Sequence, residues 1–253
     1  MKLKRSLSQN FLSDQRVARK IVEAAGIGEK DFVVEIGAGA GTLTEELAKT
    51  GAKVLAYEID ESLKDLLRDR LSRFENVELV FEDFLEADLS KVPDDFVYVA
   101  NIPYGITGPI IEKILKVGRF RFAVFMVQKE VAERILSKPG RKSYGYISAL
   151  VQTYCDVEKL FDVSKSHFVP NPKVDSTVVK LKWRGWIVDF REYSEFLSKV
   201  FSKKRKTVKN NLKSLTTNPD GVLKEVGIDP SLRPEDLTPK DLLSIFRALR
   251  AIS

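Results

Sequence analysis

Asp31-Phe32-Val33-Val34-Glu35-Ile36-Gly37-Ala38-Gly39-Ala40-Gly41-Thr42 is the stretch on which the reading of this chain turns. Its first half is an apolar run interrupted only by Asp31 and Glu35, which suits a strand buried on both faces. Gly37 stops that strand, and Gly39 and Gly41 follow at two-residue spacing. Thr42–Lys49 then opens a helix, with Thr42 as the expected N-cap and Glu45 at the capping-box position. Glycines are needed where a backbone approaches a ligand closely and takes up angles closed to other residues. The dinucleotide-binding turn would require a third glycine at position 42, where Thr stands, which argues against a pyrophosphate cradle. A phosphate-binding P-loop fails too, because no Gly-Lys-Ser/Thr follows.

Outward from that turn, β-like runs alternate with helical patterns, as a parallel sheet with crossover helices demands. Strands are predicted at Lys53–Glu58, Val77–Phe81, Phe96–Ala100, Phe122–Val127 and Thr177–Lys182. Helices are predicted at Ser62–Phe74, where Leu63, Leu66, Leu67 and Leu71 recur at helical spacing, and at Pro109–Val117. A basic loop, Ser137–Ser143, precedes a longer pattern at Tyr146–Val157. Past Arg184-Gly185 the character changes to three helical patterns with no strand, broken at Asn218–Gly221 and between Asp229 and Pro239. The expected division is an α/β domain over 1–184 and a small all-helical domain over 185–253. A length of 253 residues suits that arrangement.

Composition excludes several classes. Hydrophobic residues at 43% are enough for a core, which rules out global disorder. One cysteine, Cys155, excludes a disulfide scaffold and reads as a small buried hydrophobe, and one histidine, His167, excludes a His-cluster metal site. No metal is expected. No apolar run approaches the roughly 20 residues of a membrane span, and the expectation is a soluble, cytoplasmic protein. The net charge of +6 is modest, but it is segregated. Residues 1–20 carry a local +5 and residues 195–215 a local +6, while residues 58–95 carry −8. Such segregation fits a polyanion met by particular surfaces, although charge alone does not separate this from ordinary solvated helix faces.

Three further signals carry chemistry. Glu58 ends the second strand, 21 residues after Gly37, where a carboxylate can accept from both ribose hydroxyls of a nucleoside. NAD enzymes share that feature, so it does not choose the cofactor. Asp83, past the third strand, can accept from an adenine amine, with Phe84 against the ring. Asn101-Ile102-Pro103-Tyr104 follows the fourth strand, where open α/β sheets hold their ligands.

The Glu35–Gly41 turn resembles motif I of S-adenosylmethionine (SAM)-dependent methyltransferases. Asn101–Tyr104 resembles the Asn-Pro-Pro-Tyr-type motif of methyltransferases that act on exocyclic amines. The N6 lone pair of adenine is delocalised into its ring, so the amine is a poor nucleophile. The Asn101 side-chain oxygen and a backbone carbonyl of Ile102 or Pro103 can accept both N–H bonds and favour a pyramidal nitrogen. Pro103 fixes the backbone and removes a donor, and Tyr104 offers a stacking face worth about 1–3 kcal/mol. The proton leaves after transfer, so no general base is required, and His167 reads as a bystander. Phe168, in Phe168-Val169-Pro170-Asn171-Pro172-Lys173-Val174-Asp175-Ser176, is expected to close the far side of the base pocket.

With Ser8-Gln9-Asn10-Phe11-Leu12, Gln128–Arg134, Tyr154–Val157 and the basic run Phe201–Leu212, the chain resembles the small-subunit ribosomal RNA adenine dimethyltransferases from Leu7 to about Leu242. Ser8, where the family usually has Gly, and Gly105, where Asn is common, depart from its pattern. The resemblance implies a doubly wound, Rossmann-like sheet of seven strands with a helical C-terminal domain. It also implies SAM as cofactor, S-adenosylhomocysteine as product, and two adjacent adenines near the 3′ end of the RNA as target. It puts the cofactor on Asn10, Leu12, Gly37, Glu58, Asp83 and Asn101, to which the turn adds Gly39 and the strand end Phe84. Lys203, Lys204, Arg205, Lys206 and Lys209 are expected on a basic helix facing RNA phosphates. The expected partner is small-subunit rRNA within a pre-30S-type particle, met by a monomer. Rival readings are the related 23S rRNA methyltransferases of macrolide resistance, the mitochondrial transcription-factor branch, and an assembly factor that binds RNA without turnover. The Gln128–Arg134 and Tyr154–Val157 segments favour the small-subunit enzymes.

Overall fold

The computed structural model describes residues 10–203 and 205–252. Gln9 of the arm motif and Lys204 of the basic run, together with the charged residues Lys2, Lys4 and Arg5, lie outside the described residues. By its contacts the chain forms two compact units, one of Met1–Ala132 and Glu158–Trp183, the other of Glu133–Val157 and Arg184–Ser253.

The first unit is built on a seven-stranded sheet with the order β4-β3-β2-β5-β6-β9-β7. Its strands are β2 (Phe32–Ile36), β3 (Lys53–Tyr57), β4 (Val77–Val80), β5 (Phe96–Asn101), β6 (Phe120–Gln128), β7 (Cys155–Val163) and β9 (Ser176–Trp183). β2 pairs in parallel with both β3 and β5, β3 with β4, and β5 with β6, while β9 returns antiparallel to β6. The central strands are buried on both faces, so their sequences are apolar runs rather than alternations. The chain leaves β2 toward β4 and comes back to β5 on the other side of β2. This change of direction opens a crevice beyond the strands' carboxyl ends, between β2 and β5.

Helices α1 (Gln15–Ala25), α2 (Thr42–Ala48), α3 (Lys64–Leu71) and α4 (Thr107–Val117) belong to this unit. α1 means that the basic N-terminal stretch is only partly an arm. Ala18, Ile21, Val22 and Ala25 recur at helical spacing and are buried, while Asp14 caps the helix by accepting the Arg16 N–H. Before it, β1 (Phe11–Leu12) pairs antiparallel with β8 (Phe168–Val169), Phe11 opposite Val169 and Leu12 opposite Phe168.

The seventh strand begins inside the Tyr146–Val157 pattern that the sequence leaves undivided and runs on beyond it. Tyr146–Tyr154 is a helix, α6, and Cys155 begins β7. In β7 the apolar residues fall at 155, 157, 160, 161 and 163, which is not a clean alternation. By contacts the division falls at 183/184, and Glu133–Val157, expected in the α/β domain, groups with the helical unit. The reason is packing: the Tyr154 and Tyr193 rings meet edge-on at 6.1 Å, Tyr193 meets Phe246 at 5.2 Å, and Thr153 hydrogen-bonds the Tyr193 hydroxyl at 3.2 Å. Besides α6 the helical unit holds α7 (Phe190–Val200), α8 (Val208–Leu212), α9 (Pro219–Glu225) and α10 (Pro239–Ile252); α5 (Lys129–Leu136) runs across the division. No described helix is long and apolar enough to cross a membrane.

Candidate active site at the carboxyl ends of the strands

A cleft of about 250 Å³ opens within the first unit where the topology places it. Four successive strand ends line it: Gly37 and Gly39 after β2, Glu58 after β3, Asp83 and Phe84 after β4, and Asn101 at the end of β5 with Ile102, Pro103 and Tyr104. Residues separated by more than sixty positions in sequence are thereby brought into one cavity.

The glycine turn is held from two sides. Gly39 has φ +56°, and a Cβ there would come within 3.0 Å of the Phe11 ring, so a side chain is excluded by conformation and by space. Its N–H donates to Glu58 Oε2 at 2.7 Å, while Glu58 Oε1 accepts from Asp60 N–H at 2.8 Å. Glu58 is 5% exposed, and burial pushes its carboxyl above the ordinary range despite those two N–H donors. From α3, Arg70 donates to the Ala40 carbonyl at 2.9 Å and to Glu45 at 3.0 Å. Glu45 therefore serves a cluster with Arg70, Arg73 and Lys49 instead of a capping box. The cap itself is Gly41 at φ 81°, and Thr42 is already the first helical residue.

Asp83 Oδ1 accepts the Leu85 N–H at 2.9 Å, which turns the chain after β4. Lys113 of α4 pins that turn by donating to the carbonyls of Leu85 (2.8 Å) and Ala87 (2.7 Å). Phe84 is wedged edge-on against Tyr57 at 5.5 Å and Tyr98 at 6.1 Å. Asn101 donates through Nδ2 to the Asn10 carbonyl at 3.3 Å, which directs its Oδ1 away from that carbonyl. The Pro103 carbonyl accepts the Ile106 N–H at 3.2 Å, closing the turn. The Tyr104 hydroxyl lies 3.0 Å from Ser176 Oγ.

Two expected site residues lie elsewhere. Phe168 is fully buried, in the core cluster that also holds Leu12, Val163 and Val178, and it does not line the cleft. The β1–β8 pair turns it inward opposite Leu12, itself 5% exposed and likewise absent from the cleft wall. Conversely, Phe11, Tyr57, Ile59, Leu85, Ile106 and Ile110 line the cleft although no sequence signal singles them out. Phe11 is the nearest to being legible, since it lies between Asn10 and Leu12.

In the helical unit the expected basic helix is a turn. α7 ends at Val200 and α8 begins only at Val208, so Lys203, Arg205 and Lys206 stand exposed between them. The buried Asn211 organises that turn. Its Oδ1 accepts the Lys203 N–H at 3.2 Å, and its Nδ2 lies within 3.4 Å of the carbonyls of Lys203, Lys206 and Thr207. Lys209 is on α8 and pairs with Asp220 at 2.8 Å. Among the described residues, no three His, Cys, Asp or Glu side chains gather as metal ligands.

The cleft fits a nucleoside cofactor: a close-approach glycine turn, a buried carboxylate at the second strand end, and an acid with an aromatic at the third. A crystal structure of a dimethyladenosine transferase from Plasmodium falciparum matches with TM-score 0.83 at 30% identity, covering 95% of this chain and 98% of that one. The 23S rRNA methyltransferase ErmE matches with TM-score 0.74 at 29% identity, over 95% of this chain and 100% of that one. The fold is that of the Rossmann-like, SAM-dependent methyltransferases. Ribosomal RNA small subunit methyltransferase A of Thermotoga neapolitana is 56% identical over 250 residues, 99% of this chain and 93% of that protein. The ribosomal RNA adenine dimethylase family model matches residues 1–251, and the chain belongs to that family.

Proposed function

We propose that this protein methylates N6 of two adjacent adenines near the 3′ end of small-subunit rRNA, giving N6,N6-dimethyladenosines. The observation that carries the reading is the Asn101–Tyr104 turn sharing one cleft with Gly37, Glu58 and Asp83. Bound SAM supplies an electrophilic methyl group, and S-adenosylhomocysteine is left behind. Glu58 would accept from the ribose hydroxyls, Asp83 would read the cofactor's adenine amine, and the Gly37–Gly39 backbone would give room for the methionine end. Asn101 Oδ1 accepts one N–H of the target amine. The Pro103 carbonyl already serves the Ile106 N–H, so Ile102 is the better source of the second acceptor. Two acceptors on one amine pull its hydrogens to one side and its lone pair to the other. Tyr104 stacks on the base. No metal has a part in these steps.

Lys203, Lys204, Arg205 and Lys206 meet phosphates of the RNA, and so does the Lys138–Lys142 loop. The target is the small-subunit RNA within a pre-30S-type particle, and a cytoplasmic monomer acts on it. Incubation with labelled SAM and undermethylated small subunits, large subunits or free rRNAs, followed by mapping of the modified base, tests the reading. Label on paired adenines of the small subunit is the expected result. Label on a large-subunit adenine would move the assignment to the macrolide-resistance type, and binding without label would leave an RNA-binding factor.

A further inference from the structure

Tyr104 is carried by a loop, but its far end is tied to the sheet. Its hydroxyl lies 3.0 Å from Oγ of Ser176, the fully buried first residue of β9. The serine's place is settled by the ladder, in which it faces Gln128 of β6. Its neighbours are anchored as well. The Asp175 carbonyl accepts the Lys129 N–H at 3.0 Å, the Asp175 carboxylate accepts the Lys165 N–H at 2.9 Å, and Thr177 donates to Asp162 at 2.7 Å. Around Tyr104 the backbone is held at the turn's two ends, by the Ile102 N–H on the Met126 carbonyl (3.1 Å) and the Ile106 N–H on the Pro103 carbonyl (3.2 Å). The next residue, Gly105, is exposed, with nothing within 4 Å of the place a Cβ would occupy.

We propose that Ser176 is a positioning residue that fixes the Tyr104 ring as the stacking face for the target adenine, and that the second methyl transfer depends on it more than the first. This rests on the proposed role of Tyr104. In each transfer an N6–C bond forms, the methyl–sulfur bond breaks, and one proton leaves the nitrogen. The unmodified amine offers two N–H bonds, one for Asn101 and one for the backbone carbonyl. After the first transfer only one N–H remains, so one of the two polar grips is gone while the nitrogen carries an added methyl. Orientation of the base then falls more heavily on stacking, and small misplacements of a reacting group are costly.

The test compares Ser176→Ala, Tyr104→Phe, the double variant and Tyr104→Ala on undermethylated small subunits at saturating SAM, with mono- and dimethyladenosine resolved by mass spectrometry. Ser176→Ala and Tyr104→Phe should each slow the second transfer about three- to tenfold, the range for one ordinary hydrogen bond, with a smaller effect on the first. The double variant should be no worse than either single one, because both remove the same bond. Without cofactor or RNA, ¹³C relaxation of ring-labelled tyrosine should show Tyr104 more mobile in Ser176→Ala. Wild-type rates and product ratio in Ser176→Ala, beside a damaged Tyr104→Ala, would overturn the proposal. Equal slowing of both steps would overturn its second part. An undamaged Tyr104→Ala would overturn the stacking role of Tyr104 itself.

Discussion

Glu35 is the penultimate residue of β2, with only Ile36 between it and the glycine turn, and is fully buried. Among the described residues no hydrogen bond of ordinary geometry reaches either carboxyl oxygen, and the Thr44 hydroxyl faces the carboxyl as its one weak polar neighbour. Desolvation pushes its carboxyl up to about 8, with the Glu58 charge adding to the shift and Thr44 opposing it. In the unfolded chain the same group titrates near 4.5. The fold therefore holds a proton that the unfolded chain releases between those two values, so this group's contribution favours folding less as pH rises through that window. The slope is about 1.4 kcal/mol per pH unit, which accumulates to roughly 5 kcal/mol by pH 8. Glu35→Gln removes the titration and keeps the shape. Its stability relative to wild type should be independent of pH below about 4.5, rise steadily toward 8 and level off above. Urea unfolding at fixed ionic strength, followed by Trp183 fluorescence in a Trp186→Phe background, reports on the unit that holds β2. A difference between variant and wild type that stays flat from pH 5 to 8 would refute the reasoning.

Glu58→Ala should weaken SAM binding by at least about tenfold in calorimetry, because buried ribose hydroxyls lose an acceptor and the Gly39 N–H loses its own partner. Glu58→Gln, which keeps one acceptor oxygen, should lose less. Asn101→Ala should retain RNA binding and lose most of kcat, since the amine acceptors act chiefly in the transition state; near-normal turnover would discard the amine-polarising account. Neutralising Lys203, Lys204, Arg205 and Lys206 together should weaken subunit binding and lower the log–log salt slope by about 0.7–0.9 for each phosphate that is no longer neutralised. Unchanged affinity and slope would mean that the turn is only a solvated surface.

The parts of this molecule that are legible in the sequence are those whose chemistry is local. A strand, a glycine turn and a helix must be contiguous, so Asp31–Lys49 can be read directly, and strand-end residues such as Glu58, Asp83 and Asn101 follow once the sheet is assumed parallel. What escapes depends on partners distant in sequence. Phe168 has the composition of a pocket aromatic, but pairing with residues 11 and 12 turns it into the core. The basic run has helical residues throughout, yet Thr207 caps a new helix by accepting the Asn210 N–H and Asn211 bonds back across the turn. Capping competes with helix continuation through such side chains, and composition alone does not say which prevails. α6 reads as part of the α/β domain because it precedes the last strand, whereas Phe190 and Tyr193, the packing partners of its Tyr154, come more than thirty residues later.

The Asn101 amide shows how these distant contacts bear on the chemistry. An asparagine side chain can present either its oxygen or its NH₂, and only the oxygen can accept from an amine. The Asn10 carbonyl faces Nδ2, so turning the amide round would set two acceptors against each other. That carbonyl belongs to the segment before α1, which is fastened outside the cleft. Ser13 donates to the His167 carbonyl through both its N–H (2.9 Å) and its hydroxyl (3.0 Å), and the His167 ring lies 2.9 Å from the Asp14 carboxylate. The single histidine thus has structural work, holding the strap whose carbonyl selects the acceptor end of Asn101. In the proposed transfer a general base at that place would be superfluous, because the amine nitrogen becomes acidic only after the methyl has arrived.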